Sequence, residues 1–120
     1  MKTVTLILRR TLSLADAKSE LSEIKRMGAV PQKNSGRGRH DKGDAILDNK
    51  WMVDIKEYSK TFGISRDVWA KTCTDAYRAG GLEPLLKVVL GEGNNKIRLV
   101  VISESMFEEM KDSYLQEMGE

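Results

Sequence analysis

Residues 44–58 read Asp44-Ala45-Ile46-Leu47-Asp48-Asn49-Lys50-Trp51-Met52-Val53-Asp54-Ile55-Lys56-Glu57-Tyr58. Two β-prone runs flank the polar break Asp48-Asn49-Lys50, which is the pattern of a β-hairpin. Side chains alternate along a strand, so Trp51, Val53 and Ile55 share one face of the longer run, and Met52, Asp54 and Lys56 share the other. Asp44 opens the shorter run. The hairpin therefore brings two carboxylates and an ammonium onto one small surface. Carboxylates converging at a strand end make a hard, oxygen-rich site that suits Mg²⁺ or Mn²⁺. Such an ion polarises a phosphodiester and lowers the pKa of water; Lys56 beside it would position or deprotonate that water, or offset charge growing on the phosphate. The competing reading is structural: a cross-strand Asp–Lys pair on an exposed face stabilises a sheet modestly.

Toward the N-terminus, residues 3–8 (Thr3-Val4-Thr5-Leu6-Ile7-Leu8) are β-prone, and residues 1–12 read as an arm or a strand. Ser13 has the character of an N-cap, with Asp16 as the capping-box acid. Leu14, Ala17, Leu21, Ile24 and Gly28 follow at spacings of three and four, the stripe of an amphipathic helix, and Gly28 stops it. Residues 32–43 contain no apolar side chain and are dense in glycine and bases, which predicts a loop. Toward the C-terminus, Ser65 caps a helix that runs to Gly80-Gly81, with Val68, Trp69, Cys73, Ala76 and Tyr77 as its apolar stripe. Residues 84–90 and 97–102 are the strongest strands, joined by the turn Gly91–Asn95. Ser103 caps a closing helix over 103–119 carrying Met106, Phe107, Met110 and Tyr114. The order is that of a mixed α/β sheet flanked by helices, in one domain spanning 1–120.

Composition narrows the classes. With 40% hydrophobic and 32% charged residues, the chain has the make-up of a soluble globular domain. No apolar run approaches the roughly 20 residues of a membrane span, and no signal-peptide pattern opens the chain. One cysteine, Cys73, and one histidine, His40, leave neither a disulfide framework nor a Cys/His zinc site within one chain. The net charge of +2 hides a division: residues 101–120 hold six acids and one base, leaving 19 bases against 12 acids in residues 1–100. A basic body with an acidic tail suits a polyanion partner.

Taken together, Asn34-Ser35-Gly36-Arg37-Gly38, Lys42-Gly43-Asp44 and Val53-Asp54-Ile55-Lys56, followed by a helix with a Trp near its start and then Gly80-Gly81-Leu82-Glu83-Pro84-Leu85, resemble the PD-(D/E)xK nuclease superfamily. Within it they are similar to the small archaeal- and phage-type Holliday junction resolvases, over about residues 15–110. The resemblance implies a restriction-endonuclease-like mixed β-sheet flanked by helices, an αβββαβ core plus a C-terminal helix. It implies Mg²⁺-dependent phosphodiester hydrolysis, with Mn²⁺ able to substitute, and a homodimer acting on branched four-way DNA in the cytoplasm, that of the host if phage-encoded. Other DNA targets (duplex or single-stranded) and a non-catalytic DNA-binding module of the same fold are the alternatives. Asp54 stands where resolvases mostly carry Glu, one methylene longer, and Lys42-Gly43 stands where the superfamily name has Pro.

The resemblance also expects an acid on the first helix. Glu20 borders the apolar stripe and is chosen as a third catalytic and metal-binding acid beside Asp44, Asp54 and Lys56. Glu23, about 200° around the helix from Leu21, is expected to face solvent. The loop supplies Lys33, Ser35, Arg37, Arg39, His40 and Lys42 as DNA contacts, its glycines letting backbone amides approach phosphates. Lys60 and Lys71 are further DNA-binding candidates, and Tyr58 and Ser59 stand within reach of phosphate. Trp69 reads as a core anchor; Met106, Phe107 and Met110 read as core or dimer contacts.

The loop generates a direct expectation. Replacing Arg37, Arg39 and Lys42 with Ala should weaken DNA binding and flatten its salt dependence by a slope of about 0.9 for each lost phosphate contact on duplex. Binding titrations across a salt series measure this, and an unchanged slope would exclude the loop from the DNA backbone.

Overall fold

The hairpin turn sets the geometry of the sheet. In the computed structural model, which describes residues 14–32 and 44–119 with the side chains of 14–18 excepted, Asp48 and Asn49 take φ of 52° and 55°. Asp and Asn bear this left-handed conformation better than other residues with a side chain. The Lys50 N–H closes the turn on the Leu47 carbonyl at 3.0 Å. The pairing that results is Leu47 with Trp51, Ile46 with Met52 and Ala45 with Val53.

Around this hairpin the elements run α1 (Leu14–Arg26), β1 (Val30–Pro31), β2 (Ala45–Leu47), β3 (Trp51–Tyr58), α2 (Arg66–Arg78), β4 (Glu83–Leu90), β5 (Ile97–Val101) and α3 (Glu104–Gly119). The strands form one open sheet in the order β1-β2-β3-β4-β5. Among the described residues only β3 and β4 pair in parallel. A parallel pair needs a long crossover, and α2 provides it. The result is an α/β fold with a five-stranded mixed sheet and three helices. Among the described residues no helix is long and apolar enough to cross a membrane.

The two sheet faces have different coverings. Trp51, Val53, Ile55 and Leu85 pack with Ala45, with Ile24 of α1 and with Met106 of α3 in the main core. The opposite face carries Met52, Asp54 and Leu86, all buried, beneath α2. Ser65 caps α2 as expected, its Oγ accepting from the Val68 N–H at 3.1 Å, and Ser103 caps α3 by accepting from the Met106 N–H at 3.1 Å.

Two helix faces, those of α1 and α2, differ from the sequence reading. In α1, Leu21 is 40% exposed, whereas Glu23, expected in solvent, is only 3% exposed. The physical reason lies in the facing strands. Lys87 of β4 pairs with Ile55 in register and so points to the α1 side, where its Nζ meets Glu23 Oε1 at 2.8 Å. Arg98 of β5 adds Nε at 2.9 Å from the same oxygen. One turn earlier, Ser19 donates to Glu57, which also holds Lys96 Nζ at 2.6 Å. α1 thus docks through polar groups beside a small apolar seam at Ile24 and Met27. In α2, Tyr77 is 78% exposed, and the buried face is Thr72, Asp75 and Ala76. In α3 only Met106 is buried; Phe107, Met110, Tyr114, Leu115 and Met118 face outward. The expected strand or arm at 3–8, the Ser13 cap, the Asp16 capping-box carboxylate and the loop residues Lys33, Ser35, Arg37, Arg39, His40 and Lys42 lie outside the described residues.

Burial pushes the Glu23 carboxyl up, but hydrogen bonds from Arg98 and Lys87, aided by their charges, outweigh it and hold the pKa at about 2. Its contribution to stability is present above the ordinary carboxylate range and is lost as pH falls toward 2. Glu23→Ala leaves Lys87 buried without its counter-charge and should destabilise the fold by about 3–5 kcal/mol at neutral pH, measured by urea unfolding. A loss below about 1 kcal/mol would mean that water reaches Lys87.

Candidate active site

Asp44 clasps β3 at two points. Its N–H donates to the Val53 carbonyl at 2.9 Å, and its Oδ2 accepts the Ile55 N–H at 2.6 Å. β2 begins at Ala45, and the Asp44 carboxylate takes the position of a strand carbonyl for that N–H. The two bonds straddle Asp54. Continuing the hairpin register likewise brings Asp44 to Asp54. Two carboxylates are thereby fixed side by side at the end of β2, as the sequence expects.

Asp54 is 5% exposed, and among the described residues its carboxylate has no hydrogen bond or ion pair. Buried carboxylates are ordinarily hydrogen-bonded or paired. Burial first, then the neighbouring charges of Asp44 and Asp75, push its pKa up to about 7. Burial also raises Asp44, against the Ile55 hydrogen bond and the charges of Lys56 and Lys71.

The lysines arrive from two elements. Lys56 follows Asp54 by two residues, on the same face of β3. Lys71 comes from α2, where its Nζ holds Asp75 Oδ2 at 2.8 Å. Burial works against the Lys71 charge, but the Asp75 hydrogen bond, with the charges of Asp75, Asp54 and Asp44, raises its pKa. Asp75 itself is buried. The site thus consists of Asp44, Asp54 and Lys56 from the hairpin, and Lys71 and Asp75 from the helix above it.

Asp75 does not follow from the sequence reading. The available signals were its i, i+4 spacing from Lys71 and the run Val68, Thr72, Asp75, Ala76 on one helical face; the more apolar but outward Tyr77 obscured them. Glu20 is partly buried on α1, which covers the face carrying Trp51 and Ile55 rather than the face carrying Asp54. Lys60 is exposed in the connection from β3 to α2. Gln32 and Asp44, the described residues on either side of 33–43, meet: the Gln32 N–H donates to the Asp44 carbonyl at 3.0 Å.

Among the described residues no three His, Cys, Asp or Glu side chains are grouped closely enough to hold a metal ion. Asp44 and Asp54 nonetheless offer two hard donors. Mg²⁺ is commonly held by one or two carboxylates, with water and substrate oxygens completing its shell. The Asp54 carboxylate, with no hydrogen bond or ion pair among the described residues, fits that role. Beside the acids, Asp54, Lys56, Tyr58 and Phe62 line a groove of about 330 Å³ against Asp67, Val68, Lys71 and Thr72 of α2.

Compared with known proteins, the chain matches no family model, no curated protein and no solved structure. The functional reading therefore rests on this geometry and on the sequence resemblance.

The Asp54 carboxyl gives a pH test. Its ordinary value is 3.8 and its folded value about 7, so between these the folded chain holds a proton that the unfolded chain has released. The stabilisation is complete below the unfolded value and is lost as pH rises through 7. Asp54→Asn cannot ionise, and should exceed the wild type in stability at pH 8 by about 2–4 kcal/mol while matching it near pH 4. Unfolding curves at both pH values measure the difference; equal stability at pH 8 would mean that the carboxylate is compensated.

Proposed function

We propose that this protein is a metal-dependent, structure-selective DNA endonuclease with a restriction-endonuclease-like fold, acting as a Holliday junction resolvase. The observation that carries the proposal is the buried Asp54 carboxylate beside Asp44, with no hydrogen bond or ion pair among the described residues. Placing two like charges together in a protein interior is costly. A divalent cation supplies the missing charge and turns a structural liability into a binding site.

Asp44 and Asp54 would hold Mg²⁺, or Mn²⁺ in its place. The bound ion supplies Lewis-acid polarisation of a phosphodiester and acidifies water. Lys56, on the same face, orients the attacking water and offsets charge on the phosphate. Lys71 contributes a second positive charge, oriented by Asp75. Glu20, the acid that the resemblance expects from α1, lies on the helix that covers the opposite face of the sheet and is not part of this set. The segment 33–43, which directly precedes Asp44 in the chain, supplies Lys33, Ser35, Arg37, Arg39, His40 and Lys42 to the DNA backbone, with Lys60 as a further contact. The mixed sheet with flanking helices is compatible with the restriction-endonuclease-like fold.

A four-way junction is two-fold symmetric and is resolved by two opposed cuts. A C2 homodimer provides one site per subunit. The outward apolar residues of α3 (Phe107, Met110 and Tyr114) and of the edge strand β5 (Ile97, Leu99 and Val100) are the surface proposed for that contact. The proposed location is the cytoplasm, where such DNA is found.

The experiment is cleavage of labelled four-way junction, duplex and single-stranded DNA, with and without Mg²⁺. Junction cleavage that requires Mg²⁺ is expected. Asp44→Asn should abolish cleavage by at least about 100-fold while binding persists, since it removes an anionic donor without adding bulk. Cleavage of duplex or single strands in preference would redirect the target. Binding without any cleavage would favour a non-catalytic DNA-binding module.

A further inference from the structure

The groove beside the acids has a wall that phosphate chemistry does not require. Asp54, Lys56 and Tyr58 alternate along one face of β3, so the strand leads from the acid pair to an aromatic ring about 13 Å away. There Tyr58 meets Phe62, from the connection to α2, with ring centroids 5.0 Å apart and an interplanar angle of 27°. Tyr58 remains 48% exposed and Phe62 partly exposed, although both line a groove that continues to Asp54. The stack therefore does not serve to fill the core. Its rings are held flat against one another at the edge of an open slot of about 330 Å³, at the lower end of the range for small-molecule sites.

The remaining lining is chemically divided. Val68 and Thr72 of α2 form the facing wall and Tyr58 and Phe62 the aromatic one. Lys56 and Lys71 line it with the acids, and Asp67, one helical turn before Lys71 on α2, adds a carboxylate to the lining. A flat aromatic group would lie against the rings, with an anionic group toward the lysines and a hydrogen-bond donor toward Asp67. A nucleotide combines all three: a π-face, a phosphate and, on most bases, an exocyclic amine or ring N–H. Aromatic side chains accept the faces of any unpaired base.

We propose that this groove is a nucleobase pocket. It takes the base of a nucleotide close to the phosphate that Asp44, Asp54 and Lys56 act on, and stacks it on the Tyr58–Phe62 wall. The proposal rests on the nuclease reading for its placement beside a scissile phosphate, but the pocket makes its own demand. A base inside a duplex is sandwiched between neighbours and cannot present its face to a protein ring. The substrate class is accordingly DNA with a base free to unstack near the cut, as at a branch point or in a single-stranded stretch.

The test uses the full chain and two probes: deoxyadenosine 5′-monophosphate, and 2-deoxyribose 5-phosphate, which has the phosphate without the base. Ring resonances of Tyr58 and Phe62 are followed by NMR during each titration. The nucleotide is expected to shift both rings and the sugar phosphate to leave them unmoved. Replacing both rings with Leu should weaken nucleotide binding about tenfold, the scale of one lost stacking contact. Tyr58→Phe retains the ring and should retain binding, which separates lost stacking from lost folding. Rings unmoved by the nucleotide at millimolar concentration, or moved equally by both probes, overturn the pocket. If such a protein still cleaves junction DNA, the nuclease reading stands and the pocket alone falls. Nucleotide binding by a protein that cleaves no DNA supports the pocket and removes the nuclease reading.

Discussion

The register of the β2–β3 hairpin is the constraint on which the rest of the site depends. Side chains along a strand alternate, so a slip of one residue would send Asp54 and Lys56 into the core and Val53 and Ile55 beneath α2. The Asp48-Asn49 turn and the apolar face built on Trp51, Val53 and Ile55 both hold the register against that slip. Asp44 adds a third restraint by binding the β3 backbone on either side of Asp54. One short stretch of chain therefore determines the core of the sheet and the placement of the acids together.

The helices are joined to this sheet by polar contacts as much as by apolar ones. Glu23 lies between Lys87 and Arg98, and Ser19 and Glu57 meet Lys96. A buried ion pair is often worth no more than the apolar contact that would replace it, yet removing one partner is severe. Such pairs fix the rotation of a helix more than they strengthen its attachment. In α1 the pairing with Lys87 turns the helix so that Leu21 faces out. In α2 a similar inward polar residue, Asp75, faces the site and holds Lys71 there.

The two sets of buried charge differ in kind. Around Glu23, opposite charges balance and its carboxyl titrates near 2. Around Asp54, carboxylates crowd together and its carboxyl rises to about 7. The first arrangement stabilises the native state at neutral pH, while the second destabilises it until a proton or a cation arrives. A fold that holds a costly carboxylate next to an open groove, with lysines around it, has the character of a binding site rather than a packed core.

The amino-acid sequence by itself determined the order of the three helices and of the strands from β2 onward, though not the short β1, together with the Asp48–Lys50 turn, the Ser65 and Ser103 caps and the placement of Asp44, Asp54 and Lys56 on one surface. These follow from local rules: alternation in a strand, capping chemistry, and the backbone freedom of Asp and Asn. The inward faces of the helices were decided only by the tertiary structure. Periodicity finds a buried face when that face is apolar, and here Glu23, Thr72 and Asp75 occupy it, while Leu21 and Tyr77 point outward. Their burial depends on Lys87 and Arg98, distant in sequence, and on Lys71 turned toward the acids. The same holds for the groove: Tyr58 and Phe62 are four residues apart in a strand end and a loop, where no periodic rule relates them, and only the path of the chain into α2 stacks their rings.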